Sequence, residues 1–422
     1  MKKMAPAVLG WILLGAAVLA PLGCAKKEID VPLKAFVSNN KVGFEDQNHQ
    51  PVISAQFDRY YAQWDGKFKT YDPTHPQATM DQINAESRPF SNGLCAVQVG
   101  DKWGFIDPTG KYQINPVYDS VQPFHKGLAL VKMGNRCQLI DKNGQTAKEL
   151  NYDDVSDAWF YGLAQVKKDG LIGYMDADYK EKIAPQYTEA YQNFLNGLTY
   201  VVTGKDQDKL YGYIDPQGKV AIPLQFSDAQ PFYEKWACVA TGTGQGKRWG
   251  YIGLDGKFII TPQFTEANSF TEDKAAVATA FNALGLGSKW GFIGRDGKFV
   301  IMPQFDKAES FAEGLAPVMV LANAYGTEGK WGFIDGQGKM AIPPAYTEVT
   351  NFSDGVACFT TAKDPLTKGT WGFIDKQGNV VVKPKFDYSG SLTFENGKAF
   401  MAMGGKYLYV DKQGNPVPDE KK

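Results

Sequence analysis

An all-β fold is predicted: a tandem repeat array of about ten three-stranded antiparallel units in an open, solenoid-like superhelical stack, with a closed propeller-like ring as the alternative. Three observations predict it. The phrase Lys102-Trp103-Gly104-Phe105-Ile106-Asp107 returns with small changes at Trp249, Trp290, Trp331 and Trp371, and degenerate copies put Val42, Cys137, Ile172, Tyr211 and Tyr407 in the Trp position. From Trp103 onward, successive copies are 34 to 41 residues apart, the period of one supersecondary unit stacked on the next. Two aromatics also keep register with each copy. One lies fifteen residues after the Trp position, from Phe57 and Tyr118 through Tyr152 and Tyr187 to Phe386; the other is a Phe just before the next copy, from Phe90 and Phe124 to Phe394. Rings at fixed spacing let a narrow unit bury enough apolar area to be stable, at about 25 cal/mol per Å². Ten units of about three strands suit an open stack with degenerate end copies as caps better than a propeller of four-stranded blades.

Residues 1–23 read as a signal peptide. Lys2 and Lys3 form a basic start, Ala5 to Leu22 is apolar, and Leu22-Gly23-Cys24 is followed by polar Lys26, Lys27 and Glu28. A short apolar run ending in Gly-Cys resembles a bacterial lipoprotein signal, although Pro21 and Leu22 depart from the usual aliphatic and small residues there. The resemblance implies lipidation at Cys24. With Ala25 next, it implies a lipid-anchored protein of the bacterial cell envelope, delivered to the outer membrane. An uncleaved membrane anchor is the alternative, because the apolar run is just long enough to span. Residues 24–35 then form a tether, 36–418 the array and 419–422 a polar tail.

Within a unit, alternation puts Trp331 and Phe333 on one face of a strand and Ile334 on the other. Asp335-Gly336-Gln337-Gly338 is a turn, with Asp at its first position and Gly supplying φ > 0 at its fourth, the signature of a type I turn closed by a bulge. A short strand such as Phe299-Val300-Ile301 follows, and Pro303 is expected to end it by withholding an N–H. Gly314 to Val318 gives the third strand. The Gly after each Trp is expected to leave room for a ring or backbone of the neighbouring unit.

The repeated Trp-Gly-Phe-Ile-Asp, then Gly-Lys, then Pro-x-Phe resembles the WG-repeat proteins over roughly residues 36 to 415. That family is mostly bacterial and mostly without an assigned biochemical function. The resemblance implies β repeats and supplies no catalytic residues.

Formal charge is −1, from 45 basic against 46 acidic residues without a dense basic run, which argues against a nucleic-acid partner. Cys95, Cys137, Cys238 and Cys358 read as small buried core residues rather than disulfides. No metal is expected: the turn Asp residues recur without the alternating oxygens of a calcium loop, and Gly253 and Gly294 replace them twice. The Trp residues read as core, with a sugar-stacking row as the rival reading. No nucleophile elbow, zinc-protease or phosphate-loop motif occurs, and pairs such as Asp153-Asp154 read as solvated turn residues, so neither catalysis nor a cofactor is expected.

Two features break the repeat. The first is an insertion at about 62–86, which carries Trp64, Tyr71 and His75 with Pro73 and Pro76. The second is a set of long loops before the Trp strands, at 280–289, 321–330 and 361–370, expected to form a ridge on one side. The reading is a non-catalytic binding or scaffolding lipoprotein whose partner is a protein or cell-wall polymer. Trp64, Tyr71 and His75 are its candidate binding residues. A carbohydrate-binding or carbohydrate-cleaving envelope protein and a spacer without ligand are the alternatives.

Overall fold

The computed structural model describes residues 33–39, 41–64, 67–71, 87–280, 288–321, 329–362, 370–388, 392–404 and 406–417. The signal segment with Cys24, His75 and most of the long-loop ridge lie outside them.

Among the described residues, ten antiparallel sheets follow one another along the chain, and none closes on itself into a barrel. The third sheet shows the plan: Ser120–Val121, Ala129–Met133, Arg136–Ile140 and Thr146–Leu150, each strand beside the next. The third to ninth sheets have this four-stranded order, and the first and tenth have three strands. The expected three strands are therefore joined by a fourth, of only two residues except in the fourth sheet, where it is Asp154–Phe160. In the eighth sheet it is Lys307–Ala308, opposite Met319 and Val318. A strand so short carries no alternation pattern.

Each sheet is buried on both faces. In the eighth, Trp331 and Phe333 pack with Phe352, Phe359 and Ile374 of the ninth. Ile334, Ala316 and Val318 point the other way, onto Trp290 and Phe292 of the seventh. This is the predicted alternation, and it makes the array a face-to-face stack. The Phe before each copy joins sheets edge to face: Phe333 to Phe352 at 4.9 Å, Phe292 to Phe311 at 4.8 Å and Phe105 to Phe124 at 4.8 Å between centroids.

The Asp turns form as expected. Gly338 N–H donates to the Asp335 carbonyl at 2.9 Å with φ +81°, and Asp335 Oδ1 accepts from the N–H groups of Gln337 and Lys339. This glycine meets a second demand. A Cβ on it would lie 2.9 Å from Ile301 Cγ2 of the preceding sheet. Where Gly253 and Gly294 replace the turn Asp, Asp255 and Asp296 supply the carboxylate two residues later, accepting from Lys257 and Lys298 N–H.

Two expectations change. The Gly after Trp makes room for its own unit, not the neighbouring one. Trp331 pairs with Tyr346 and Phe333 with Ile342, so three residues bulge opposite Gly332. A Cβ on Gly332 would lie 2.5 Å from the Ile342 carbonyl oxygen and 2.7 Å from Pro344 N. Pro303 does not end its strand either; Phe299–Phe305 runs through it, because the proline sits in the bulge, where no ladder N–H is required.

The insertion is in part regular structure. Arg59–Trp64 takes the place of the two-residue strand in the second sheet, pairing Arg59 with Gln98 and Tyr60 with Val97. It then continues outward into a hairpin with Lys67–Tyr71, and Ser87–Arg88 pairs with its far end. Trp64 and Tyr71 therefore lie on strands, opposite Lys67 and Tyr60 respectively.

Candidate functional site

The third sheet departs from the repeat at two adjacent positions, where Cys137-Gln138 stands in place of Trp-Gly. Gln138 has a Cβ, so the close approach that makes the bulge cannot form. The ladder stays regular instead: Cys137 pairs with Leu150, Gln138 with Glu149 and Leu139 with Lys148. Tyr152, fifteen residues after Cys137, is thereby moved out of register and turns its hydroxyl to Glu181 at 3.0 Å. A neighbouring exchange follows. Lys148 stands where other units have the Ile that meets the turn glycine, and Tyr179 stands where the glycine would be. Tyr179 is buried at φ +58°, packs edge-on to Trp159 and takes the Lys148 ammonium on its carbonyl.

The loss of the indole at Cys137, followed by Ile172 in the same position of the next unit, opens a cleft of about 420 Å³. The residues in the Trp position of the second, third and fourth sheets, Trp103, Cys137 and Ile172, all line it. Tyr61 joins Trp103 at one end, with ring centroids 5.7 Å apart. Val121, Val131, Val155 and Val166 give apolar walls, and Ser120, Gln122, Ser156, Gln165 and Gln192 give polar ones. Lys132 Nζ reaches from the third sheet to Asp154 Oδ1 of the fourth at 2.6 Å. Lys167 also lines the cleft, exposed and without an ion pair among the described residues. Burial pushes the Cys137 thiol up to about 11, so at neutral pH it is a protonated, inert wall group.

Gln122 is the most informative of these side chains. It is 7% exposed, and its Nε2 donates to the Ser156 carbonyl of the next sheet at 3.2 Å. Gln230 makes the same bond to Ala267 at 3.2 Å, and its Oε1 also accepts from Ser269 Oγ at 3.1 Å. The Gln122 carbonyl oxygen accepts no hydrogen bond among the described residues, on a side chain that forms the cleft wall.

The insertion reaches this departure of the third sheet. Lys67–Tyr71, the outer strand of the insertion, runs against Asp154–Phe160 of the fourth sheet, beside the cleft. The structure thus brings the strand that carries Tyr71 to the site; Trp64 lies on the paired strand of the hairpin, and His75 lies outside the described residues. The cleft itself was missed in the sequence, although Cys137-Gln138 and Ile172 on successive units signalled it. The repeated Trp residues do not form an exposed row: Trp103, Trp290, Trp331 and Trp371 are buried and Trp249 half-buried. All four described cysteines are buried and free.

The chain resembles a eukaryotic initiation factor structure at 8% identity and TM-score 0.41, covering 77% of this chain and 95% of that one. It resembles the β-propeller domain of the Trilobed protease from Pyrococcus furiosus at 11% identity and TM-score 0.36, covering 71% and 95%. For the tricorn protease the figures are 10% identity, TM-score 0.35, 89% of this chain and 46% of that one. Comparison with curated proteins gives no match. The family model for the WG containing repeat matches residues 86–103, 103–137, 139–171, 211–242, 249–279, 290–321, 331–361 and 371–407. These segments make up more than half of the sequence, and the chain belongs to the WG containing repeat family.

Proposed function

We propose that this is a non-catalytic binding lipoprotein of a bacterial envelope, held to the membrane through Cys24, which engages its partner at the cleft between the second and fourth sheets. The observation that carries this reading is the convergence of the two departures from the repeat. Packing makes the same demand in every unit and explains the shared residues. A ligand makes a local demand, and its contacts belong where units differ. The insertion hairpin and the missing indole at Cys137 lie at one place. Burial of the motif Trp residues removes the main support for a sugar-stacking row.

Two measurements test the proposal. Cys24→Ala should block metabolic labelling with lipid and release the protein from membranes, or stall its precursor; unchanged labelling and fractionation would refute the anchor. Deleting residues 72–86 and joining the flanks with a short Gly-Ser link should leave the array folded, since it keeps Arg59–Trp64, Lys67–Tyr71 and Ser87–Arg88. The same deletion should lower partner capture from envelope extracts. Undiminished capture would detach the insertion from the function.

A further inference from the structure

We infer that the cleft receives a large aromatic side chain of a partner polypeptide, with an acidic residue beside it. The inference rests on the cleft being the binding site, and it names what binds. In six other units, the space at this position is filled by an indole or phenol ring: Trp103, Tyr211, Trp249, Trp290, Trp331 and Trp371 occupy it, whereas Val42 stands there in the first unit. In the third and fourth sheets Cys137 and Ile172 fall short of that volume, and the remaining opening lies between sheets built to house rings. A ring supplied from outside restores the contacts that the chain makes for itself in other units. Val121, Val131, Val155 and Val166 take its faces, and the edges of Tyr61 and Trp103 close one end.

The polar groups specify the rest of the ligand. Gln122, whose Nε2 is held by the Ser156 carbonyl, presents its amide on the cleft wall, where its oxygen can accept from an indole or backbone N–H of an entering peptide. Lys132 and Asp154 neutralise each other across the cleft, whereas Lys167 makes no ion pair among the described residues. The wall therefore carries one excess positive charge and favours a carboxylate next to the ring. Tyr61 and Trp103 are each buried, so they offer no open ring face on which a sugar could stack. That disfavours a glycan at this site.

The test uses the purified full-length protein and ligand-observed saturation-transfer NMR with the blocked peptide acetyl-Gly-Trp-Glu-amide. Binding at a Kd of about 0.1–1 mM is expected, the range open to a small ligand with one well-buried anchor. Acetyl-Gly-Leu-Glu-amide should bind at least about tenfold more weakly, since it lacks the ring. Cys137→Trp should fill the site from within and abolish binding. Because that variant also alters the core, Ser120→Trp at the exposed rim serves as a second block and should do the same. Lys167→Ala should weaken the peptide by about three- to tenfold with the fold intact. Diacetylchitobiose distinguishes the two levels of the claim. If it binds and both Trp variants abolish its binding while the peptide does not bind, the cleft is a binding site and the aromatic-peptide assignment is wrong. If neither probe binds, or binding survives both Trp variants, the cleft is not the site and both claims fall.

Discussion

Gly332→Ala should destabilise the protein by about 3 kcal/mol or more, at or above the upper end of ordinary overpacking costs. The reason is the atom the new Cβ meets. It would lie 2.5 Å from the Ile342 carbonyl oxygen, and both this oxygen and Pro344 N at 2.7 Å are backbone. A flexible side chain could swing away; a bulged strand paired at Trp331–Tyr346 and Phe333–Ile342 cannot move without breaking those pairs. Gly291→Ala should behave alike, with Ile301 O at 2.5 Å and Pro303 N at 2.7 Å. Gly253→Ala is the control. Its Cβ would meet only side-chain ends, Asp255 Oδ1 at 3.3 Å and Ile259 Cδ1 at 3.4 Å, and its φ is not positive. That substitution should change stability by no more than about 0.5 kcal/mol. Urea unfolding of the three variants checks the contrast. Equal midpoints for Gly332→Ala and Gly253→Ala would show that the bulge does not exclude a side chain.

Trp331→Ala and Trp290→Ala should each cost about 3–5 kcal/mol, as for other buried large rings. Each indole lies between two sheets: Trp331 with Tyr346, Phe352 and Phe359, Trp290 with Phe305, Phe311 and Val318. A cavity at either place loosens two units together, because in a linear array each unit is stable mainly through its neighbours. The loss should appear in the unfolding midpoint. Ligand binding at the distant cleft should survive in both variants. Neutral stability with lost binding would return the motif Trp residues to a ligand-contacting role.

Much of this architecture was legible in the sequence because the same physical demand is repeated in every unit. Trp331, Phe333 and Ile334 alternate because a strand does, and Gly338 recurs because its turn needs φ > 0. The two-residue strands such as Lys307–Ala308 were not legible, since two residues have no period to read. The glycine after Trp was recognised as a close-approach position, but sequence could not say which backbone approached. Pro303 was read as a strand end because a bulge cannot be told from a terminus by proline alone. The insertion showed as excess length, and its hairpin was hidden because Arg59–Trp64 extends a strand whose counterparts elsewhere have two residues. The cleft had a signal: Cys137-Gln138 removes the ring and the bulge glycine together. A degenerate copy and a vacated site look alike until the neighbouring sheets are placed.

The central claim is that the third sheet abandons the repeat register, and so leaves room for a ligand. A cross-linking measurement tests it directly. Cys137 is paired with Leu150, whereas a unit in the common register would pair it with Tyr152. Cross-strand partners have Cβ atoms close enough for a disulfide, and residues displaced by two positions do not. Leu150→Cys should therefore form a disulfide with Cys137 on mild oxidation of the folded protein, and Tyr152→Cys should not. Cross-linking of Tyr152→Cys with Leu150→Cys left reduced would place the third sheet in the common register and contradict the origin of the cleft.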